Sequence, residues 1–168
     1  MIELMTIGYE NMPLEGFFRM LENRRVSMVV DLQELYDIRR PAFAKAVLEE
    51  SLARRGIKYE HIAGLGCLGH VRHECRDDSA GTDSKHRCNA DLETEESALA
   101  RLAGLIQERR CCLMCQEEDY NVCHRSLVAQ RLAGLVGDRV RIHHLSGPTA
   151  GHAVRRDAGG FNEFVTCC

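Results

Sequence analysis

Apolar residues along this chain fall into short blocks that alternate between the spacing of a strand and the spacing of a helix. Ile2 to Ile7 is a compact apolar run typical of a strand. From Pro13 onward apolar residues recur at helical spacing, at Leu14, Phe17, Phe18 and Leu21. Ser27 to Leu32 is a second apolar run, so this first segment predicts a strand, a helix and another strand.

The next segment continues the alternation and then loses it. Pro41 stands at the first position of a predicted second helix, which ends before Gly56 and has one apolar stripe of Ala44, Val47, Leu48 and Leu52. Ile57 to Ile62 has the alternating character of a third strand. From Gly64 to Asp91 polar residues, Gly, Cys and His follow one another without a period, so we expect a long loop that is functional or disordered.

Four more elements are predicted beyond this loop. Thr94 can cap a third helix, and Cys111 to Cys115 is typical of a short buried strand. The helix that follows Cys123 closes at Gly137, and Arg139 to His144 has the pattern of a last strand.

The regular alternation predicts the fold class. We expect an α/β protein, a single three-layer Rossmann-like domain with a mainly parallel sheet. The domain is predicted to span residues 1–145 with the variable loop at about 64–91. Residues 146–168 form a glycine-containing tail that can be partly disordered.

Length and charge narrow the class of protein. The 168 residues suit one domain, and a formal charge of −3 gives no overall attraction to phosphate. Arginine doublets can build a local basic face, or they can simply be solvated helix ends. The start of the chain has no basic leader, and no apolar run approaches the length of a membrane span. We therefore expect a soluble, cytoplasmic protein with no membrane partner; its oligomeric state is open.

The cysteines are numerous but do not suggest a disulfide framework. There are nine, an odd number in a chain long enough to fold without staples, so we expect reduced thiols. Cys112 and Cys115 have C-x-x-C spacing, but three residues along a strand put their side chains on opposite faces. This disfavours a thioredoxin-like pair, and Cys111 and Cys112 are expected to be small core residues.

The turn between Cys115 and Arg125 concentrates the chemistry. It contains Cys115, Glu117, Cys123 and His124 before Arg125, between the predicted strand and helix. If Asn121 or Asp119 caps the helix, Cys123 and His124 lie in its first turn, where free N–H groups lower the pKa of a thiol and attract anions. Cys123 is then a nucleophile, a metal ligand or a buried packing residue.

The other members of the predicted site come from neighbouring strand ends. Glu117 can act as a base, cap the helix or pair with Arg125. The ends of parallel strands gather at one edge, so Asp31 is expected there, either lining a polar cleft or pairing with Arg39. We predict Asp31, Cys115, Glu117, Cys123 and His124 as catalytic residues and Tyr9, Arg39 and Arg125 as substrate-binding residues. The Cys115-to-Arg125 spacing is too long for the Cys-x5-Arg loop of thiol phosphatases.

The variable loop offers a second possible metal site. Its soft ligands are Cys67, His70, His73 and Cys75, followed by His86 and Cys88. They suffice for a tetrahedral zinc or an iron ion, but the spacing is not that of a paired finger motif, and a solvated polar loop is the alternative.

The motifs along the chain resemble those of the domain-of-unknown-function 488 family. They are Thr6-Ile-Gly8-Tyr9, Val29-Val-Asp31-Leu, Arg39-Arg-Pro41-Ala-Phe43, Gly56-Ile-Lys-Tyr59-Glu-His61, Leu65-Gly66, and the Cys-x-Glu turn that leads into Cys123-His124-Arg125. The resemblance runs from about Thr6 to about His144 and implies the fold and the site, but no reaction. The chain departs from the family pattern at Gln33, Tyr36, Ile38 and Cys67, and has a polar Cys/His insert where the family has an aromatic-rich segment.

Two classes of function remain. The first is an enzyme whose thiol, carboxylate and arginine groups act on a nucleotide or another small anionic substrate. The second is a non-catalytic module that binds an anion, a nucleic-acid component or a metal. Raised thiol reactivity would favour the first, and a contiguous arginine face without a deep cleft the second.

Overall fold

A computed structural model of the chain describes residues 1–33, 39–65, 96–137, 139–147 and 162–166. Within these residues one six-stranded sheet has the order β3-β2-β4-β1-β5-β6. Its strands are β1 (Ile2–Gly8), β2 (Met28–Asp31), β3 (Lys58–His61), β4 (Cys111–Cys115), β5 (Val140–Ser146) and β6 (Asn162–Thr166). The first five are parallel, and β6 runs antiparallel to β5.

Helices cover both faces of the sheet. They are α1 (Leu14–Asn23), α2 (Lys45–Ala53), α3 (Glu96–Glu108) and α4 (His124–Val136), with short 3-10 turns at Pro41–Phe43, Ala63–Leu65 and Tyr120–Val122. Apolar residues of α1 and α2 form one buried cluster with one face of the sheet, and those of α3 and α4 form a second cluster with the other face. The predicted three-layer α/β domain with a mainly parallel sheet is confirmed.

Strand β4 shows how the two faces are built. Its residues alternate between the layers, so Cys111 and Leu113 pack with α3 and α4, whereas Cys112 and Met114 pack with α1 and α2. This strand is buried along its whole length, as expected for a central strand of a parallel sheet.

The predicted second helix differs from the observed one. Pro41 begins a separate 3-10 turn, and Ala44 after it is extended (φ −63°, ψ 141°), which interrupts any continuous helix. The helix starts at Lys45, and its register buries Leu48 and Leu52 but leaves Val47 47% exposed. The predicted stripe was therefore wrong at Val47.

The start of α4 also differs from the expectation. Asp119 caps the 3-10 turn rather than α4, because its side chain accepts a hydrogen bond from the Asn121 main-chain N–H. Cys123 is the extended residue at the N-cap position of α4, and His124 is the first helical residue. The Cys123 thiol thus lies at the N-cap of α4, before the first helical turn in which it was predicted.

Two segments bear on the remaining expectations. Most of the predicted variable loop, with Cys67, His70, His73, Cys75, His86 and Cys88, lies outside the described residues, as do Tyr36 and Ile38. Strand β6 lies within the predicted C-terminal tail and was not anticipated.

The domain boundaries stay predictions. In the described part of the chain no helix combines the length and apolarity needed to cross a membrane.

Candidate functional site

Three strand ends lie side by side at one edge of the sheet. Gly8 at the end of β1 is in register with Cys115 of β4, and Asp31 at the end of β2 is in register with Met114. The carboxyl ends of parallel strands are where ligands bind in such folds. The expectation that β1, β2 and β4 contribute to one edge is thus met by the register of the sheet.

The loops that leave β1 and β4 are joined by hydrogen bonds. Main-chain N–H groups of Tyr9 and Glu10 donate to the carbonyls of Cys115 (3.3 Å) and Gln116 (2.9 Å). Asn11 Nδ2 donates to the Glu118 carboxylate at 2.7 Å. The turn that follows β4 is therefore held against the loop that follows β1.

Gly8 is required by this close approach. A Cβ atom at Gly8 would lie 1.8 Å from the main-chain oxygen of Glu117. Since no real side chain tolerates that separation from a backbone atom, only glycine lets the turn reach its position.

Four side chains with metal-binding atoms meet beyond this turn. Cys115 Sγ and Cys123 Sγ both donate to Oε2 of Glu117, at 2.8 and 3.2 Å. His124 Nδ1 lies 3.6 Å from Cys115 Sγ and 4.0 Å from Cys123 Sγ. Three of the residues are buried and Glu117 is half-buried. The structure thus brings together four of the five residues predicted as catalytic.

Arg125 holds the backbone of the turn that carries Glu117. It is 1% exposed, and its two terminal nitrogens donate to the main-chain carbonyls of Glu117 and Glu118, the latter at 2.7 Å. Its Nε atom is buried without a hydrogen-bond partner. Arg125 therefore fixes the turn that presents Glu117, while the expectation that it binds substrate stays a prediction.

The two thiols of the group have opposite electrostatic tendencies. Burial, the hydrogen bond with Cys123 and the Glu117 carboxylate raise the pKa of Cys115 well above its usual value. Burial also opposes ionisation of Cys123, but the hydrogen bond with Cys115 and the neighbouring Arg125 and His124 lower the pKa of this thiol well below its usual value. Cys123 is the thiol that the site favours as a thiolate.

The cysteines at the start of β4 behave differently. Burial raises the pKa of Cys111 to about 12, and burial likewise raises the pKa of Cys112. Both lie in apolar clusters, as predicted for packing residues. Cys112 and Cys115 face opposite layers, which confirms that their C-x-x-C spacing does not make a pair.

Asp31 belongs to a separate group on the opposite face of the sheet. Its side chain is on the face of Val29, the layer of α1 and α2, because residues two apart in a strand point the same way. Asp31 accepts hydrogen bonds from the Gln33 main-chain N–H (2.9 Å) and from the Tyr59 hydroxyl (2.6 Å). Gln33, a departure from the family pattern, donates through Nε2 to the Tyr9 hydroxyl at 2.8 Å.

Tyr9 is thereby placed within the core. It is buried, stacks on Phe43 with 4.1 Å between ring centroids, and carries the Arg40 guanidinium over its ring. Arg40 also donates to the main-chain oxygens of Tyr9, Glu10 and Met12. Of the Arg39-Arg40 doublet, Arg39 is exposed, and Arg40 is the residue that organises the loop after β1.

Two further residues at this edge were missed by sequence reasoning. His61 contacts the main-chain oxygen of Gln33 through Nε2 at 2.7 Å. His144 Nδ1 lies 2.7 Å from Thr6 Oγ1, and its ring stacks on Tyr120 with 3.9 Å between centroids. A histidine at the end of a predicted strand was the available signal in both cases.

Comparisons with known proteins identify the family but no function. The family model described as "Domain of unknown function DUF488" matches residues 13–132. Neither the curated proteins nor the solved structures include a match to the chain. The geometry of the site therefore carries the functional argument.

Proposed function

We propose that this chain, which belongs to the DUF488 family, binds one transition-metal ion of the zinc class through Cys115, Glu117, Cys123 and His124. The observation that carries the proposal is the convergence of one ligand atom from each of these residues, all within 4.8 Å of one another.

The types of ligand select the class of metal. Thiolate sulfur and imidazole nitrogen favour zinc or iron(II), whereas calcium and magnesium prefer sites made of oxygen alone. Tetrahedral zinc with its usual bond lengths places neighbouring ligand atoms about 3.5 Å apart. The separations of 3.2, 3.6 and 4.0 Å among these side chains bracket that value, and 2.8 Å between Cys115 and Glu117 needs a small expansion.

The surrounding contacts keep the ligands in place without a metal. Arg125 holds the Glu117 turn through main-chain carbonyls, and Ser126 Oγ donates to the Cys123 carbonyl at 2.9 Å. Cys115 is the last residue of β4, a strand that is paired with β1 on one side and with β2 on the other. Such preorganisation lowers the cost of ordering the ligands when an ion binds.

Elemental analysis of reduced protein tests the proposal. Wild type grown with ample zinc and iron is expected to hold about one ion per chain, and Cys115→Ser and Cys123→Ser to hold none. Cys112→Ala and Glu118→Gln are matched controls, since one removes a buried thiol from the same strand and the other alters the neighbouring carboxylate. Both should keep the metal.

The loop cysteines need their own control. A chain with Cys67, Cys75 and Cys88 all replaced by Ser should also keep the ion. Metal-free wild type, or metal that disappears only with the loop cysteines, would contradict the proposed site.

A second candidate function is a reactive thiol acting on a substrate, as the sequence suggested. It is favoured by the place of Cys123 at the N-cap of α4, beside the Arg125 guanidinium and the His124 ring. After removal of metal by a chelator, iodoacetamide should modify Cys123 faster than Cys111 and Cys112. Equal protection of the three thiols would remove this candidate. A nucleotide or other small anionic substrate stays a prediction.

A further inference from the structure

We infer that Cys115 and Cys123 form a disulfide when the protein meets a peroxide, and that this bond expels the metal ion. The expulsion rests on the proposed metal site, whereas the disulfide stands on the geometry of the two thiols alone. Both Sγ atoms donate to the same oxygen, Oε2 of Glu117, and lie within 4.8 Å of each other.

The pairing is specific among the described cysteines. Cys112 lies on the opposite face of β4, and Cys111 precedes Cys115 by four residues, about 13 Å along a strand. A relaxed disulfide requires sulfur atoms about 2.05 Å apart, so partners must already be close. Cys115 and Cys123 meet this condition, and neither residue at the start of the strand does.

Two thiols are sufficient to complete the reaction with one peroxide molecule. One thiolate attacks a peroxide oxygen, the O–O bond breaks, and a sulfenic acid forms with release of hydroxide. The second thiolate attacks the sulfenic sulfur, the S–S bond forms, and hydroxide leaves. The two sulfurs lose two electrons, hydrogen peroxide gains them, and with two protons the products are one disulfide and two waters.

The loss of metal follows from the ligand count. A disulfide sulfur is not a thiolate and binds zinc poorly, so oxidation removes two of the four ligands. Glu117 and His124 alone make a weak site. Reduction restores both thiolates and with them the complete set.

Burial restricts which oxidant can react. Cys115 is 0% and Cys123 1% exposed, whereas Glu117, which contacts both thiols, is half-buried. A small neutral molecule such as hydrogen peroxide can reach the sulfurs past Glu117. A bulky oxidant such as glutathione disulfide cannot align with either sulfur while the fold is intact.

The experiment uses the full chain loaded with zinc and free of reductant. Limiting hydrogen peroxide is added, remaining thiols are alkylated, and peptides are mapped by mass spectrometry while zinc is measured in an ultrafiltrate. The expected result is a peptide pair joined through Cys115 and Cys123 with loss of two hydrogen atoms. Zinc should appear in the filtrate in proportion to the disulfide and rebind after treatment with a phosphine reductant.

Cysteine variants test which thiols take part, and a second oxidant tests whether burial excludes a bulky reagent. Cys112→Ala should behave as wild type, as should a chain with Cys67, Cys75, Cys88, Cys167 and Cys168 replaced by Ser. In Cys115→Ser the reaction should stop at a sulfenic acid on Cys123, trapped by dimedone. Glutathione disulfide should give neither the bond nor zinc release from folded protein.

The outcomes separate the two proposals. Pairing through Cys111 or Cys112 would overturn the inference and leave the metal site standing. Zinc retained after the Cys115–Cys123 disulfide has formed would overturn the expulsion, and it would also contradict the assignment of these two thiols as ligands. Zinc-free reduced protein would overturn the metal site and the expulsion together, while the mass spectrum would still decide whether the disulfide forms.

Discussion

Two polar groups occupy the same edge of the sheet on opposite faces, and they differ in how donors and acceptors are matched. The Asp31 group pairs an acceptor with protein donors, because the Gln33 N–H and the Tyr59 hydroxyl both reach the carboxylate. The Glu117 group crowds a carboxylate, two sulfurs and an imidazole around one point. Thiols are weak hydrogen-bond donors, and thiolate, imidazole and carboxylate are ligand types of zinc, which is why we propose an ion for this second group.

A buried polar group indicates a ligand by the kinds of atoms that it brings together, and the two groups differ in this respect. Both groups lie where ligands bind in parallel sheets, and both contain a carboxylate. Each carboxylate oxygen of Asp31 accepts a hydrogen bond from the protein, and a catalytic role for this residue stays a prediction. The Glu117 group brings one possible metal-ligand atom from each of four side chains within 4.8 Å of one another, and it is the group that we propose as the metal site.

The largest expected effect comes from the contact that places Glu117. Gly8→Ala puts a methyl group against the Glu117 main-chain oxygen, so the turn must move away from β1. We expect a loss of about 3 kcal/mol in the free energy of unfolding and loss of bound metal. Gly104→Ala, in α3 with open space around it, is the control and should lose neither. Urea unfolding and metal analysis measure both effects, and a metal-loaded Gly8→Ala protein would contradict this geometry.

Asp31→Ala should lower stability without affecting the metal. It leaves the Tyr59 hydroxyl and the Gln33 N–H without this acceptor in a buried place, at an expected cost of about 2–3 kcal/mol in unfolding free energy. Metal content should be unchanged, because the residue lies on the other face. Cys123→Ser should show the reverse: it should not bind metal, whereas the metal-free protein should be nearly as stable as metal-free wild type. If Asp31→Ala abolished metal binding in folded protein, the two groups would have to be one site.

Acidification should lower the free energy of unfolding through His144, which is not one of the proposed metal ligands. Burial, with the nearby charges of Arg125 and His143, lowers the pKa of His144 from 6.5 to about 4. As the pH falls, the His144 side chain is therefore protonated first in the unfolded chain. Its contribution to the free energy of unfolding is fully present above pH 6.5 and is lost as the pH drops toward 4. At pH 5.5 the expected loss is about 1.4 kcal/mol.

His144→Phe is the matched variant for this prediction. It can keep the stack on Tyr120 but has no proton to gain. Urea unfolding of the two metal-free proteins between pH 7.5 and pH 5 should show a shallower pH dependence for the variant. Parallel curves would mean that His144 is not a source of acid sensitivity.

The smallest expected effect is the difference, about 1 kcal/mol, between the costs of losing one hydrogen bond on each face of the sheet. Tyr59→Phe removes a donor to a carboxylate and should cost about 2 kcal/mol, whereas Ser126→Ala removes a donor to a main-chain carbonyl and should cost about 1 kcal/mol. Thermal or urea unfolding of each variant measures the difference. Equal costs would mean that the Asp31 bond has no charge-assisted character.

Much of the fold follows from sequence because each element has its own period. The runs from Ile2, Ser27, Ile57, Cys111 and Arg139 predict the parallel strands, and the alternation with helices predicts the layers. The failures are local. Val47 was assigned to the core because nothing in the sequence shows that Ala44 is extended, and β6 follows a stretch with no strand signal.

The site was predicted in composition more than in arrangement. Cys115, Glu117, Cys123 and His124 come from one continuous motif, so their meeting needs only a strand, a turn and a helix. The separation of Asp31 from them depends on the pairing of β2 with β4 and on its register, which a single sequence does not specify. The choice of Arg40 over Arg39 depends on which of two adjacent guanidinium groups turns inward.

Arg125 has a consequence for the charge balance of the site. In the proposed metal-bound state, two thiolates and one carboxylate carry three negative charges and a divalent ion contributes two positive charges. The remaining negative charge then matches the single positive charge of the buried guanidinium. Because Arg125 is held by main-chain carbonyls, it supplies this charge without taking a ligand position. The metal-loaded group and its arginine are therefore electrically neutral as a unit, which is the state that a low-dielectric interior tolerates best.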